Sequence, residues 1–267
     1  MSNCNYWMHC ILGNYFFNYM VNFLIVITGY NCARYVKPCI NSVLNQKKGN
    51  WLANIVVYND GSLDETQEIL TQYKKIIIIK SNKNMGAAYG RNLCIKKYAN
   101  PEDVVILLGL DDQLLPNCLN TISEKYKSGA WVTYGNWINQ SGNGLPENFE
   151  LEFNTETHKN RDYRKVRYRS TAPNTFKAFL FNAIPEQDFK INNKWIDTTT
   201  ESEVMFSCLE MSGEKRIAVI KEPIYLYNQN LINGTQRRLG QAYKNEIYNI
   251  IINRPKKELY ENIKHIG

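Results

Sequence analysis

Residues 103–116, DVVILLGLDDQLLP, restrict this chain to few architectures. A continuous aliphatic run leads into two adjacent carboxylates, Asp111 and Asp112, and then a proline-ended turn. Such a run, bounded by turn signals, reads as a strand buried on both faces. Carboxylates at its end sit at the carboxyl edge of a sheet, where open α/β folds bind ligands. Two neighbouring acids repel each other unless they face water or a positive charge lies between them. A divalent cation carrying a phosphate ligand suits that position.

The surrounding chain alternates strand and helix signals. FLIVITG (23–29), NIVVYND (54–60), KIIIIK (75–80) and AWVTYGN (130–136) read as further strands. Between them, Ala33 to Leu44 recurs at helical spacing, DETQEILTQYKK (64–75) has acids first and lysines last, as the helix dipole favours, and 87–98 and 115–129 also read as helices. Repeated βα units predict a mostly parallel, Rossmann-like sheet covered on both faces. After residue 137 the pattern loosens. TAPNTFKAFLFNAI (171–184) and ESEVMFSCLEMSG (201–213) read as helices, RIAVI (216–220) and PIYLYN (223–228) as two short strands, and 237–252 as an amphipathic docking helix. The expected organisation is one continuous domain: an extension over 1–21, a nucleotide-binding half over 22–136 and an acceptor half over 137–267.

Hydrophobic content of 44% against 21% charged supports a sizeable core and argues against disorder. The net charge of +7 leaves solubility or an anionic ligand as explanations. Basic residues cluster at 159–169 and 254–264, but neither cluster has the form of a nucleic-acid motif, so nucleic acid is not an expected partner. The seven cysteines include no CxxC pair, which predicts small apolar packing in a reducing, cytoplasmic compartment rather than disulfides or zinc. The three histidines fall outside every motif. The apolar stretch 10–27 lacks a preceding basic region and carries three asparagines, so it reads as a lead into the first strand; peripheral membrane association stays open.

FLIVITGYNCARYVKPCINSVLNQ, IVVYNDGSLDET, NKNMGAAYGRN and the acidic strand end, in that order, resemble the inverting glycosyltransferases of family 2, with the GT-A fold. The resemblance covers about residues 22–136, and WVTYGNW, NTFKAFLF, EVMFSCLEMSG and EPIYLYN extend it in the order seen in one bacterial and viral branch. It implies a nucleotide-sugar donor, expected to be UDP-linked because the family's matching carboxylate, here Asp60, accepts from uracil N3–H. The acceptor is a hydroxyl of a glycan, glycolipid or protein.

Each motif also has a reading of its own. Thr28, Tyr30 and Asn31 end the first strand; the resemblance makes them nucleotide contacts, while the residues alone allow an ordinary βα turn. Asp60 suits an Asx turn or a helix cap as well as uracil. Asn84, Gly86 and Arg91 open the third helix, whose N-terminus favours a diphosphate; Arg91 alone also fits a salt bridge. Asp111 and Asp112 are the metal candidates, with Mn²⁺ or Mg²⁺ suiting oxygen ligands. The family signature is Asp-x-Asp, and here Gly109 stands where its first acid should be. Asp111 then corresponds to the metal-binding acid.

Inverting transfer needs a general base. Glu201 stands where the branch has Asp and is the candidate, with Glu203 and Glu210 as rivals; by itself it also suits the start of a helix. Trp137, Trp195 and Glu210 are expected on the acceptor side, Trp131 and Tyr134 in core or sugar stacking, and Asn174 replaces a branch arginine. Two readings from other classes remain. One is a nucleotide-sugar or glycan-binding protein that has lost turnover, suggested by Gly109 and Glu201. The other is a nucleotidyltransferase, disfavoured because no Gly-rich loop with a basic partner follows the first strand. Sugar, acceptor and oligomeric state are not encoded in any motif.

Overall fold

The computed structural model describes residues 20–228 and 240–263. Cys4, Cys10, His9, His265 and most of the apolar stretch 10–27 lie outside the described residues. The first half follows the expected alternation: β1 (Val21–Gly29), α1 (Ala33–Leu44), β2 (Trp51–Asn59), α2 (Thr66–Thr71), β3 (Ile77–Lys80), α3 (Ala87–Tyr98), β4 (Val104–Gly109), the two-residue β5 (Gln113–Leu114), α4 (Cys118–Lys127) and β6 (Val132–Asn139). The remainder comprises α5 (Thr155–Asn160), β7 (Asn174–Lys177), α6 (Ala178–Asn182), β8 (Lys190–Ile191), β9 (Lys194–Trp195), α7 (Thr200–Ser212), β10 (Ile217–Tyr227), α8 (Gln241–Ile252) and α9 (Tyr260–Ile263).

The main sheet has the order β3-β2-β1-β4-β7-β6-β10-β5. Strands β1 to β4 pair in parallel, as expected. Because successive side chains point to opposite faces, each strand feeds two cores. Phe23, Ile25, Ile27, Ile106 and Leu108 meet α1 and α4 on one face. Leu24, Val26, Val105 and Leu107 join the core that contains buried residues of α3, α6 and α7 on the other. The sheet takes strands from both sides of residue 136.

Two expectations need correction. Residues 171–184 are not one helix: Asn174–Lys177 form β7, inserted antiparallel between β4 and β6, and only Ala178–Asn182 are helical. Thr175 explains the override, since its buried hydroxyl lies 2.7 Å from both the Tyr126 and the Thr133 hydroxyls. Tertiary pairing outweighs a helix-like apolar pattern there. RIAVI and PIYLYN are not two strands but one, β10, whose register with β6 shifts on either side of Pro223. Proline brings no N–H to the ladder, which places the irregularity there.

In the basic run 159–169 the arginines are engaged with the protein itself, and Arg164 is buried. Arg161 donates to the carbonyls of Glu210 and Lys257. Arg164 is buried among Glu203, Glu210 and Ser207. Arg167 stacks over Phe149, and Arg169 pairs with Glu150. The five cysteines among the described residues are buried and unpaired, as expected. No helix of the described residues is long and apolar enough to cross a membrane.

Candidate active site

The candidate site lies at the carboxyl edge of β1, β2 and β4. The strand ends are tied by backbone: Asp60 N–H donates to Gly29 O and Leu110 N–H to Thr28 O, both at 2.9 Å. Thr28 lies between Tyr58 of β2 and Gly109 of β4 in the ladder. Gly29 is required by close approach of the Leu110 side chain. Tyr30 is half-buried at the rim. Asn31 adopts a left-handed backbone (φ 53°), donates its N–H to Ser62 Oγ and accepts from Leu63 N–H at Oδ1. It stitches the loop after β1 to the loop after β2.

Asp60 is buried, and its two oxygens accept from Met85 N–H (2.6 Å) and Gly86 N–H (2.9 Å). Gly86, at φ 86°, turns the chain into α3. Asp60 therefore shapes the entry to α3. Each carboxylate oxygen has a second lone-pair direction, so this role is compatible with receiving a base N–H. Asn84, two residues earlier, is exposed.

The paired acids separate into two roles. Asp112 is buried and accepts from the Tyr225 hydroxyl at 2.6 Å and from Asn228 N–H at 2.8 Å. Both oxygens thus hold the end of β10, and each keeps a second lone-pair direction besides. Burial, then the nearby charge of Asp111, push its carboxyl well above the usual range. Burial raises the Asp111 carboxyl as well. Arg91 opposes that rise and Glu201 adds to it. Among the described residues, no group of three or more His, Cys, Asp or Glu side chains is arranged around a common metal position. One carboxylate with substrate phosphates is nevertheless a sufficient donor set for Mg²⁺ or Mn²⁺, and the raised, cation-seeking carboxyl of Asp111 fits it.

Glu201 occupies the first turn of α7, and its side chain is 39% exposed. Its Oε1 lies 2.5 Å from Arg91 Nη2. Arg91, buried in α3, also donates to the Thr200 hydroxyl. Burial alone would raise the Glu201 carboxyl, but the Arg91 charge together with hydrogen bonds, that of Arg91 first, outweighs it and the net shift is downward. Glu201 is therefore ionised and reachable. The rivals are not reachable: Glu203 bonds Arg164 and Arg254, and Glu210 bonds Arg164 and Lys257 N–H, both in the interior. Glu210 does not lie on an acceptor surface.

Trp137 is half-buried against Tyr227, and Trp195 against Tyr89 with Lys190 over its ring. Tyr134 is core, and Trp131 packs between Phe179 and Arg216. Thr200 escaped the sequence reading, as did the Tyr225 and Asn228 partners of Asp112. Only its place beside Glu201 at a helix start distinguished Thr200.

A sequence model of glycosyl transferase family 2 matches residues 24–186, more than half of the chain. The chain belongs to glycosyl transferase family 2. The chain is 27% identical over 109 residues to a teichoic acid poly(glycerol phosphate) polymerase of Staphylococcus epidermidis, covering 39% of this chain and 15% of that one. It is 30% identical over 115 residues to the UDP-Glc:alpha-D-GlcNAc-diphosphoundecaprenol beta-1,3-glucosyltransferase WfaP of Escherichia coli, covering 42% and 45%. The matched segments thus span less than half the length of these relatives. A crystal structure of S. aureus TarS residues 1–349 with UDP-GlcNAc superimposes with TM-score 0.64 at 16% identity, over 89% of this chain and 68% of that one. That likeness establishes the GT-A fold for this member of the family.

Proposed function

We propose that the protein transfers a hexose from a UDP-linked sugar to a hydroxyl of a glycan or lipid-linked glycan, with inversion. One observation carries the reading: an ionised, accessible Glu201 lies at the same sheet edge as Asp111, with Arg91 exerting its charge on both. The donor nucleotide lies along Thr28, Tyr30 and Asp60, and its diphosphate faces the start of α3 and Asp111. Glu201 takes the proton of the acceptor hydroxyl as its oxygen bonds to the anomeric carbon. The bond from that carbon to the diphosphate breaks on the opposite face, and the nucleoside diphosphate leaves with the electron pair. Mn²⁺ or Mg²⁺ held by Asp111 supplies charge neutralisation for the diphosphate when bound. The WfaP and TarS names support a UDP-sugar, and the lipid-linked acceptor in the WfaP name supports a surface-glycan acceptor and a site of action beside a membrane.

The test is a panel of UDP- and GDP-sugars with Mn²⁺, scored for nucleotide release by slow transfer to water and for transfer to glycan and undecaprenyl-linked acceptors. Release from at least one UDP-sugar is expected. Saturable UDP binding without release from any donor would instead identify a nucleotide-sugar-binding protein without turnover, the reading that Gly109 keeps in view.

A further inference from the structure

We propose that Arg91 is a positioning residue for Glu201: its guanidinium, fixed in α3 and forked onto Thr200 and Glu201, holds the carboxylate that takes the acceptor proton, instead of binding the donor. This rests on the reading of Glu201 as the base. Arg91 is 6% exposed, so its charged end is not laid open to a diphosphate. One terminal nitrogen donates to the Thr200 hydroxyl and the other pairs with Glu201 Oε1 at 2.5 Å. Both contacts fall on the first turn of α7, across 109 residues of sequence, so the donor half of the molecule fixes the base of the acceptor half.

The need for such a clamp follows from the side chain at 201. A glutamate has one more rotatable bond than the aspartate that resembling sequences carry, and a mobile carboxylate loses the alignment that proton transfer requires. A buried, planar guanidinium removes that freedom through a fixed fork. The charged and titratable groups facing Glu201 are Arg91 from α3, Asp111 and Asp112 after β4, Tyr168 ahead of β7 and Tyr227 at the end of β10. Arg91 is the cation among them. Without it, burial would drive Glu201 toward its protonated form, in which it cannot accept a proton.

The experiment follows the Glu201 carboxyl by ¹³C NMR in protein carrying ¹³C-glutamate, with the signal assigned by its loss in Glu201→Gln. In the wild type it titrates below ordinary glutamates. In Arg91→Met it should move up by about one pH unit or more, while Arg91→Lys keeps most of the depression. In turnover, Arg91→Met should lower kcat at least about tenfold and move the acidic limb of its pH profile upward. Donor KM and Mn²⁺-dependent UDP affinity should hold within about twofold, since positioning acts on kcat alone. If Arg91→Met does not fold, Arg91→Lys and Thr200→Val, which removes one arm of the fork, are read the same way. An unmoved Glu201 titration, or UDP affinity falling in parallel with kcat/KM, would overturn the proposal. A wild type that binds UDP and transfers no sugar defeats the glycosyltransfer reading, and the NMR titration then still decides whether Arg91 governs Glu201.

Discussion

Gly109 leaves room for the carboxylate of Asp111: a Cβ at residue 109 would lie 2.5 Å from Asp111 Oδ1 and 2.9 Å from Asp112 Oδ2. The space of the missing signature acid is thus filled by the acid that follows it. Gly109→Ala should displace Asp111 and weaken Mn²⁺-dependent UDP binding by about 1–2 kcal/mol. One displaced atom, Asp112 Oδ2, also holds the Tyr225 hydroxyl, so the thermal midpoint should fall as well. Calorimetric titration with UDP and Mn²⁺, beside a melting curve, checks both halves.

Asp111 and Asp112 should separate cleanly on truncation. Asp112→Ala strands the Tyr225 hydroxyl and Asn228 N–H and should cost about 1–3 kcal/mol of stability. Asp111→Ala removes a buried repulsive charge and should leave stability equal or higher, while abolishing the metal dependence of UDP binding. Urea unfolding of the two variants gives the comparison; equal destabilisation would contradict the division of roles.

The same pair sets a pH dependence. Burial raises the Asp111 carboxyl, and burial with the Asp111 charge raises that of Asp112, so the folded chain binds more protons than the unfolded one. Their cost is absent below the unfolded value of about 3.9 and complete above the folded values. Stability without metal should therefore fall as pH rises across that window. Glu201 has the opposite sign: its carboxyl is lowered, so its contribution is present above the unfolded value and lost as pH falls through the folded one. Urea midpoints measured from about pH 4.5 to 8 should decline in the wild type. The slope should be shallower in Asp111→Asn.

Arg164 anchors α7 to the C-terminal region. It pairs with Glu203 and Glu210 and donates to Ile251 O, while Arg254 adds a second contact to Glu203. Arg164→Met leaves two buried carboxylates short of a cation and should cost about 3–5 kcal/mol. Replacing Arg164, Glu203 and Glu210 together with apolar residues of similar size should cost much less. Chemical denaturation of the single and triple variants tests this.

The βα alternation, both core faces and the sheet edge that carries Asp60 and Asp111 were determined by the sequence itself. Aliphatic runs such as 104–108 are satisfied inside a sheet covered on both faces, and the residue that follows each run must emerge at its carboxyl end. The reach of Glu201 at a helix start was legible for the same local reason. Long-range contacts decided the rest. Asn174–Lys177 became a strand because a gap between β4 and β6 selects extended backbone. Asp112 became a clamp because Tyr225, 113 residues away in sequence, spends its hydroxyl on it. Glu203, Glu210 and Arg164 look like surface charge in sequence, yet they neutralise one another in the interior. Spacing along the chain reports which face a side chain occupies. Only the assembled structure reports which charge meets it there, and that partner decides whether a carboxylate binds, catalyses or holds the fold.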